Sequence, residues 1–508
     1  MSNPNAPTSA GRLPGAWRWL AAAALAAYAI WLAPRFSPFA GGADSSGYLN
    51  SARLLAAGEL AAEPRIPAEF GPAEREIRQH FQPHGFVPFD GNPRLSPTYP
   101  VGLPLHLALA GRLFGWDAAP VVVGLATALG ALLLLYAVGR EFGLPPALAV
   151  AGSAILAVYP VFLFMALQPL SDTPATTWCL AAVWAALRAR RQRAWALAVG
   201  AALAVAVLVR ATNLLLLPAL VVLLGADLRR LGLAVLGGLP GAAWLGWYQH
   251  ALYGSALRSG YVDITEAFGW RHGGPTALHF AGWLAVLLPA ALLVLPAWAA
   301  RAGAGRSRER AALAAWFAPF FLFYIFYSIS HEVWWNLRFV LPGTPALIIA
   351  GLLGAEALAA ARPGRAAARW RNGAAVVLVA WATAQGAYWT QRFHLLLTKS
   401  YEQAYADTAA AARREFAPGT LVVAGLHSGA LRFYTDLPLL RWEFVRPEQF
   451  ARFVARATAA GRPVGAILHR VEEGDALQRN CPGRWVRVTT VRDFTLWRLA
   501  PEDGNGGR

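Results

Sequence analysis

The sequence contains almost no lysine and almost no cysteine. Lys399 is the only lysine among 45 basic residues, and the two cysteines are Cys179, inside an apolar segment, and Cys481, near the C-terminus. Two such cysteines offer neither a disulfide framework nor a metal cluster. Charged residues of all kinds are also scarce, at 14%, whereas apolar residues make up 56%. This balance excludes an ordinary soluble enzyme and is typical of a protein with many membrane spans.

The net charge of +17 comes from arginines that lie in short segments between apolar runs. Nucleic-acid binding is one reason for a chain to be basic, but basic residues in short loops also set the orientation of membrane helices, which is the simpler account. We therefore predict no nucleic-acid partner. Arg12 and Arg18 predict a cytoplasmic N-terminus, and the same side is predicted for five later clusters: Arg140, Arg188–Arg193, Arg229–Arg230, Arg301–Arg310 and Arg362–Arg371.

Hydropathy predicts about eleven spans, several of them shorter than the roughly 20 residues of a full crossing. We expect the short ones to be tilted or packed against protein. The first has no small-residue cleavage site and is predicted to be a retained helix. The spans are Ala16–Pro34, Ala118–Val138, Pro146–Met165, Pro174–Leu187, Ala194–Leu208, Asn213–Gly225, Leu231–Tyr248, Leu278–Ala299, Ala311–Ile329, Arg338–Leu358 and Gly373–Gln391.

The composition changes after Phe393, where a soluble region begins. Thr420–Gly425, Val464–Leu468 and Trp485–Leu499 read as strands, and Tyr401–Phe416 and Pro447–Ala460 as helices. The sequence thus predicts an all-α polytopic membrane protein with a small C-terminal α/β domain outside the membrane. Its parts are a disordered N-terminus (1–15), a transmembrane domain (16–393) with a first outer loop (35–100), the α/β domain (394–500) and a disordered tail (501–508).

The first outer loop contains an acid in GGADSSGYLNSARLLAAGEL, residues Gly41–Leu60. Asp44 there starts a short amphipathic helix whose apolar face includes Tyr48 and Leu49. Aspartate is a favoured N-cap, so capping is the more conservative interpretation of Asp44, and catalysis at the membrane surface is the alternative. His80 and His84 follow at helical spacing in the same loop. Pro83 between them argues against a helix and hence against a metal pair.

A second acid, Asp172, occurs in QPLSDTP, where it or Ser171 could also cap a helix with Pro174 in its first turn. Arg210, Arg258 and Arg338 fall on the same predicted outer side. Each could simply extend to the interface from a helix end. Together, arginines beside acids could hold a phosphate by bidentate hydrogen bonds while an acid transfers a proton.

These segments carry a family resemblance. The chain resembles GT-C glycosyltransferases of the branch with protein O-mannosyltransferases and lipid A aminoarabinose transferases, nearest to bacterial RgtA/B/C/D-like and family-39-like members. The matching pieces, in the family's order across about Trp17–Gly351, are ADSSGYLNSARLLAAGEL, YPVGLPLHLALAGRLFG, QPLSDTPATTW, LVRATNLLLLPAL, WYQHALYGSALRSGYVDITEAFG and WWNLRFVLPGTPAL.

The resemblance implies transfer of a sugar from a polyprenyl-phosphate donor to an acceptor lipid, glycan or protein at the outer face, with inversion. It implies Asp44 as the catalytic base and Asp172 as a second acid. It implies donor-phosphate contacts from Arg210, Arg258 and Arg338, and a cavity lined by Tyr48, Tyr99, Tyr261 and Trp335. Many relatives have paired acids where this chain reads Ala43-Asp44-Ser45, so a divalent metal is possible but not indicated, and no other cofactor is implied.

Two further classes of protein share some of these features. A lipid-linked-sugar flippase or transporter would use similar arginines, but internal repeats or broken-helix pairs are expected there and the sequence shows none. A non-catalytic membrane scaffold would tolerate loss of Asp44. The resemblance implies a multi-pass protein of the bacterial inner membrane, with its C-terminal domain periplasmic.

Overall fold

The computed structural model describes residues 15–72, 74–261, 267–297 and 307–501. Of the predicted disordered ends, only Gly15 and Pro501 fall within these ranges. Arg12, Arg301, Arg306 and the last two residues of the predicted span Leu278–Ala299 also lie outside the described residues. Most of the described chain is helical, and the largest buried apolar core lies among its helices.

The helices before residue 394 alternate with short connections. They are α1 (Gly15–Leu32), α2 (Ala43–Ala56), α3 (Arg75–His80), α4 (Gly102–Phe114), α5 (Ala119–Glu141), α6 (Pro146–Val158), α7 (Pro160–Ala166), α8 (Asp172–Ala189), α9 (Trp195–Val209), α10 (Leu217–Leu224), α11 (Leu228–Tyr253), α12 (Gly273–Leu287), α13 (Pro289–Leu292), α14 (Ser307–Tyr324), α15 (Thr344–Ala360) and α16 (Gly364–Arg392). Two 3₁₀ segments, Ala211–Leu216 and Trp334–Gly343, join α9 to α10 and lead into α15. Strands β1 (Phe86–Pro88) and β2 (Leu95–Pro97) pair in the first loop.

By length and composition, three described helical stretches can cross a membrane: Ala119–Glu141, Leu228–Tyr253 and Trp334–Ala360. Two bent pairs raise this number to five, and shorter apolar helices occur at Ala21–Arg35, Trp195–Val209 and Ala211–Leu224. The predicted total of about eleven spans therefore stays a prediction.

Two predicted spans are not single helices. Pro146–Met165 is broken between α6 and α7 with a bend of 63°, and the span predicted from Leu278 is broken between α12 and α13 with a bend of 94°. Each break falls on the residue before a proline, Tyr159 or Leu288, whose backbone has left the helical conformation. Clash with the proline ring disfavours a helical residue at that position. The expectation of a chain without broken-helix pairs is therefore wrong.

The region after residue 394 forms a five-stranded sheet of order β4-β3-β5-β7-β6. Its central strand β5 (Val464–His469) pairs in parallel with β3 (Leu421–Ala424) and antiparallel with β7 (Phe494–Leu499). The predicted strand Trp485–Leu499 is a hairpin of β6 (Trp485–Val491) and β7, and β4 (Leu439–Arg441) was not predicted. Helices α17 (Thr398–Glu415), α18 (Ser428–Tyr434) and α19 (Pro447–Ala459) flank it, so the small α/β region is confirmed.

Helices α9 and α11 pack at backbone contact. A Cβ added to Gly200 of α9 would collide with the carbonyl oxygen of Ala234, and one added to Gly237 of α11 would collide with that of Leu197. Small residues allow such close approach in membrane helices. Gly232, also on α11, faces open space.

This geometry predicts opposite effects for two identical substitutions. Gly200→Ala should lower the melting temperature of the purified protein, because overpacking a tight contact costs about 1–3 kcal/mol. Gly232→Ala should leave it unchanged or raise it, since alanine is favoured over glycine in helices by about 1 kcal/mol. Scanning fluorimetry in detergent measures both. Equal melting temperatures for the two variants would contradict the packing.

Candidate active site

Four charged side chains from distant parts of the chain meet at one place. Asp44 lies in the first turn of α2, and Asp172 is the first residue of α8. Arg210 follows the end of α9, and Arg338 lies inside the 3₁₀ segment Trp334–Gly343. The predicted grouping of two acids with two of the three arginines is thus present in the fold.

The four residues form two ion pairs that differ in exposure. Arg338 donates from Nη2 to Asp44 Oδ2 at 3.0 Å, and Arg210 donates to Asp172. The Asp172 side chain is 2% exposed, whereas that of Asp44 is 32% exposed. Asp44 is therefore the carboxylate that a ligand can reach, and Asp172 is the one that holds an arginine in place.

Neither acid caps its helix through its side chain. The N-cap of α2 is Gly42 and that of α8 is Ser171, and no side-chain capping bond forms at either end. The capping interpretation is therefore wrong for both acids. The partial positive charge of a helix N-terminus still favours a carboxylate in the first turn.

Three tyrosines surround Asp44. The Tyr99 side chain lies beside the Asp44 carboxylate and helps to lower its pKa, and the Tyr48 hydroxyl donates a hydrogen bond to Ser171 Oγ at 2.9 Å. The Tyr99 ring lies 5.0 Å from that of Tyr48 and 6.4 Å from that of Tyr261, centroid to centroid. These three predicted lining residues form one aromatic wall beside the acid.

Gly47 explains how Tyr99 reaches the acid. A Cβ at Gly47 would lie 2.6 Å from Cδ2 of the Tyr99 ring, so only a glycine lets the ring lie across α2. Gly47 is three residues after Asp44, and residues at that spacing share a helix face. The glycine thus places the Tyr99 hydroxyl on the face that carries the carboxylate.

The surroundings set the protonation state of Asp44. Burial by itself would raise the pKa of this carboxyl, but the charge of Arg338, hydrogen bonds from Tyr99 and Arg338, and the charge of Arg210 together hold its pKa below the ordinary value. At neutral pH Asp44 is therefore an ionised acceptor.

Two predicted site residues lie apart from this cluster. Arg258 is exposed in the turn after α11, and no ion pair joins it to a carboxylate among the residues the structure describes. Trp335 is 39% exposed and packs on Phe164, with the ring centroids 6.1 Å apart. No contact joins either of them to Asp44 among the described residues, so their predicted roles stay predictions.

Phe339 is a site residue that the sequence analysis missed. The guanidinium carbons of Arg210 and Arg338 lie 5.7 and 5.5 Å from the centroid of its ring, so this one ring contacts both cations. Its position directly after Arg338 in the sequence could have indicated that Phe339 lies at the site.

The described residues contain no group of three or more metal-ligating side chains. The pair His80 and His84 is not on one helix, since α3 ends at His80, and His84 Nε2 lies 2.9 Å from Arg441 Nη2. The expectation that Pro83 breaks the helix is confirmed.

Glu402, from α17 of the C-terminal region, is the second residue missed. Its carboxylate accepts hydrogen bonds from the Ser45 hydroxyl at 2.8 Å and from the Gly42 backbone at 3.3 Å. It thereby satisfies the free N-terminus of α2, next to Asp44. No local pattern could indicate this contact, because the partners are 357 and 360 residues apart.

Burial raises the pKa of Glu402 above its ordinary value, with a further contribution from the charge of Asp44. The folded protein therefore binds this proton more tightly than the unfolded chain, and stability falls as pH rises through the window above the ordinary glutamate pKa.

We expect Glu402→Gln, which keeps an acceptor oxygen without the charge, to raise the melting temperature at pH 8. The difference should shrink at pH 4, where Glu402 is largely protonated in both the folded and the unfolded state. Glu402→Ala should lower the melting temperature at both values, because the N-terminus of α2 loses its partner. A glutamine variant that is less stable than the native protein at pH 8 would oppose this assignment.

Comparison with known proteins shows what the chain is similar to. A family model described as dolichyl-phosphate-mannose-protein mannosyltransferase matches residues 98–248. That range includes Tyr99, Asp172 and Arg210. No curated protein sequence matches the chain closely enough to count as a relative.

Solved structures match nearly the whole chain at low identity. ArnT from Cupriavidus metallidurans bound to undecaprenyl phosphate has a TM-score of 0.59 and 15% identity, covering 96% of this chain and 98% of its own. The oligosaccharyltransferase AglB from Archaeoglobus fulgidus, in complex with an inhibitory peptide and a dolichol-phosphate, gives 0.52 and 12%, covering 97% and 75%. The arabinofuranosyltransferase AftD from Mycobacteria gives 0.55 and 15%, covering 98% and 41%.

Proposed function

We propose that this chain is an integral-membrane glycosyltransferase of the GT-C superfamily, which is supported by the family model that matches residues 98–248 and by the fold that the chain shares with ArnT. It moves a sugar from a polyprenyl-phosphate donor to a lipid, glycan or protein acceptor, with inversion of the configuration at the anomeric carbon. The observation that carries this proposal is the accessible carboxylate of Asp44, held between Arg338 and Tyr99 beside a second buried ion pair.

The donor phosphate binds at Arg338 and Arg210. The Nε–H of Arg338 is buried and has no hydrogen-bond partner among the described residues, so this guanidinium has a donor to spare. A buried donor without a partner costs about 1–3 kcal/mol, which a phosphate oxygen would relieve. Arginine's planar fork suits a phosphate. Arg258 stays a candidate contact for the donor phosphate from outside this cluster.

An apolar cavity beside Arg210 suits the prenyl chain. It has a volume of about 770 Å³ and lies between α9, α10 and α11, with Ala211, the residue after Arg210, in its wall. Its lining runs from Val199 to Ala211, which corresponds to about 18 Å along a helix. The cavity thus reaches the residue next to the phosphate-binding Arg210 and extends along the apolar helices, which suits a chain attached to that phosphate.

The reaction is a single displacement at the anomeric carbon of the sugar. An acceptor oxygen attacks this carbon, its proton passes to Asp44, and the bond to the phosphate oxygen breaks, so that polyprenyl phosphate leaves. Arg338 and Arg210 offset the charge that develops on the leaving group. Asp172 keeps Arg210 in position and does not contact the reacting atoms.

Donor binding also adjusts the base. In the free protein Arg338 is bound to Asp44 and depresses its pKa. A phosphate that takes hydrogen bonds from Arg338 weakens this interaction and adds negative charge nearby, and both effects raise the pKa of Asp44. A base whose pKa rises toward the working pH accepts a proton more readily.

The membrane placement belongs to the same proposal. The N-terminus is cytoplasmic, and the cluster and the C-terminal α/β domain face the outside of a bacterial inner membrane. The arginine-rich loops support this orientation. The first outer loop, residues 35–100, and the C-terminal domain, residues 394–500, then lie in one compartment, where their contacts with α2 can form.

The proposal predicts the effect of Asp44→Asn. Removing a general base should reduce sugar transfer by about 10²–10⁴-fold. Donor binding should persist, because Arg338 is released from its acidic partner. Mass spectrometry of glycolipids and envelope glycans should find the same sugar missing from cells with Asp44→Asn and from cells without the gene.

Asp90→Asn is the matched control, since Asp90 is an exposed acid in the same loop that forms an ion pair with Arg75. When introduced into cells without the gene, the Asp90→Asn variant should restore the missing sugar. Undecaprenyl phosphate binding, measured on the purified variants, tests the donor site separately. If the Asp44→Asn variant fully restored the sugar in cells without the gene, Asp44 could not be the general base.

The pKa change on donor binding predicts a difference between two pH profiles. The acid limb of kcat/KM for the donor reports the free enzyme, and that of kcat reports the donor-bound enzyme. The limb of kcat should therefore lie at higher pH. In Arg338→Gln both acid limbs should move to higher pH and approach each other, because Asp44 lacks its arginine in the free and in the donor-bound enzyme. If the two acid limbs of the native enzyme fell at the same pH, donor binding would not change the pKa of Asp44.

A further inference from the structure

A second cluster of arginines lines a cavity between α2 and the C-terminal region. The cavity has a volume of about 360 Å³ and is lined by Arg53 of α2, Arg65 of the first loop and Arg432 of α18, together with polar groups of Asn50 and Thr435. Specific ligand pockets begin at about 300 Å³, so the space is sufficient for a sugar-sized molecule.

Two of these arginines have no described carboxylate within ion-pair distance, and Asp117 and Glu63 act on Arg53 and Arg432 only from farther away. The ion pairs of the described residues include neither Arg53 nor Arg432; Arg53 donates to the Phe433 carbonyl at 2.9 Å and Arg432 to the Glu63 carbonyl at 3.1 Å. Each therefore keeps further N–H donors. Burial, together with the charge of Arg65, lowers the pKa of Arg432 to about 10, a cost that a bound anion would reduce.

Neither acid in the lining pairs with Arg53 or Arg432. Glu59 lies 3.9 Å from Arg94, and Asp436 lies 3.2 Å from Arg65 with its side chain fully exposed to solvent. An exposed pair of this kind contributes little and is easily exchanged. The cavity therefore has an excess of positive charge directed into a polar space.

The cavity is separate from the donor-phosphate site. Arg53 is nine residues after Asp44, which places it about 14 Å along α2 and on the opposite face of the helix. The Arg53 guanidinium is fixed there by stacking on the Phe433 ring, 3.4 Å from its centroid. Residues of α18 complete the cavity, so it exists only where the C-terminal region packs on α2.

We propose that this cavity is a second anion-binding site, which takes the phosphate or carboxylate of a sugar and thereby holds a part of the acceptor remote from the reacting oxygen. This identification of the occupant as acceptor rests on the proposed function. Binding energy from such a remote group can be used to position the reacting group. The same chemistry is present in an anionic lipid headgroup, and the experiment separates the two sources.

Binding of glucose 6-phosphate to the full-length protein in nanodiscs of neutral phosphatidylcholine, measured by calorimetry, tests the site. Arg53→Gln and Arg432→Gln should each weaken binding about tenfold or more, since a hydrogen bond to a charged group contributes about that factor. Arg432→Lys, which keeps the charge and loses the fork, should give an intermediate value. Arg413→Gln, an exposed arginine of α17, is the control and should not change the affinity.

Three results would each count against the proposed site. Unchanged affinity in Arg53→Gln and Arg432→Gln, with native melting temperatures, would overturn the proposal. Loss of binding in Arg338→Gln would also overturn it, because the probe would then occupy the donor site. Nanodiscs with anionic phosphatidylglycerol that compete with the probe only when Arg53 and Arg432 are present would assign the site to a lipid headgroup and overturn the acceptor. Because no turnover is measured, the outcome is independent of the catalytic role of Asp44.

Discussion

The ion pair between Asp44 and Arg338 is the constraint on which the rest of the site depends. A carboxylate a third exposed and a guanidinium from a segment 294 residues away meet at 3.0 Å. The buried pair of Asp172 and Arg210 stands beside it. The cluster contains two acids and two arginines, so the pairing of opposite charges offsets the cost of burying them in the free protein. An incoming phosphate shifts that balance toward the negative and makes the accessible acid more basic.

Helix α2 holds the accessible acid because it is packed on two sides. Tyr99 lies across it at Gly47 beside Asp44, while Glu402 of the C-terminal region satisfies its N-terminus. Farther along, Asn50 donates to the Gly429 carbonyl at 2.9 Å. The C-terminal region is therefore part of the structure that positions the acid, rather than only a separate appendage. A short polar helix of this kind has little stability of its own without such packing.

Prolines decided where the helices differ from the hydropathy pattern. Hydropathy averages over a window and reads Pro146–Met165 as one apolar run, but Pro160 turns the chain by 63°. The strands of the C-terminal region were visible through their β-branched runs, whereas β4, with three residues, was too short to give a pattern. Side-chain contacts such as Glu402 with Ser45 leave no trace in local sequence at all.

The sequence by itself determined the apolar helical class, the C-terminal α/β region and most members of the charged cluster, because composition and local periodicity are properties of neighbouring residues. The tertiary structure decided which charges meet. It paired Asp44 with Arg338 and Asp172 with Arg210, left Arg258 and Trp335 outside the cluster, and brought Phe339 and Glu402 to it. Such pairings depend on how distant helices pack, and no local pattern encodes that packing.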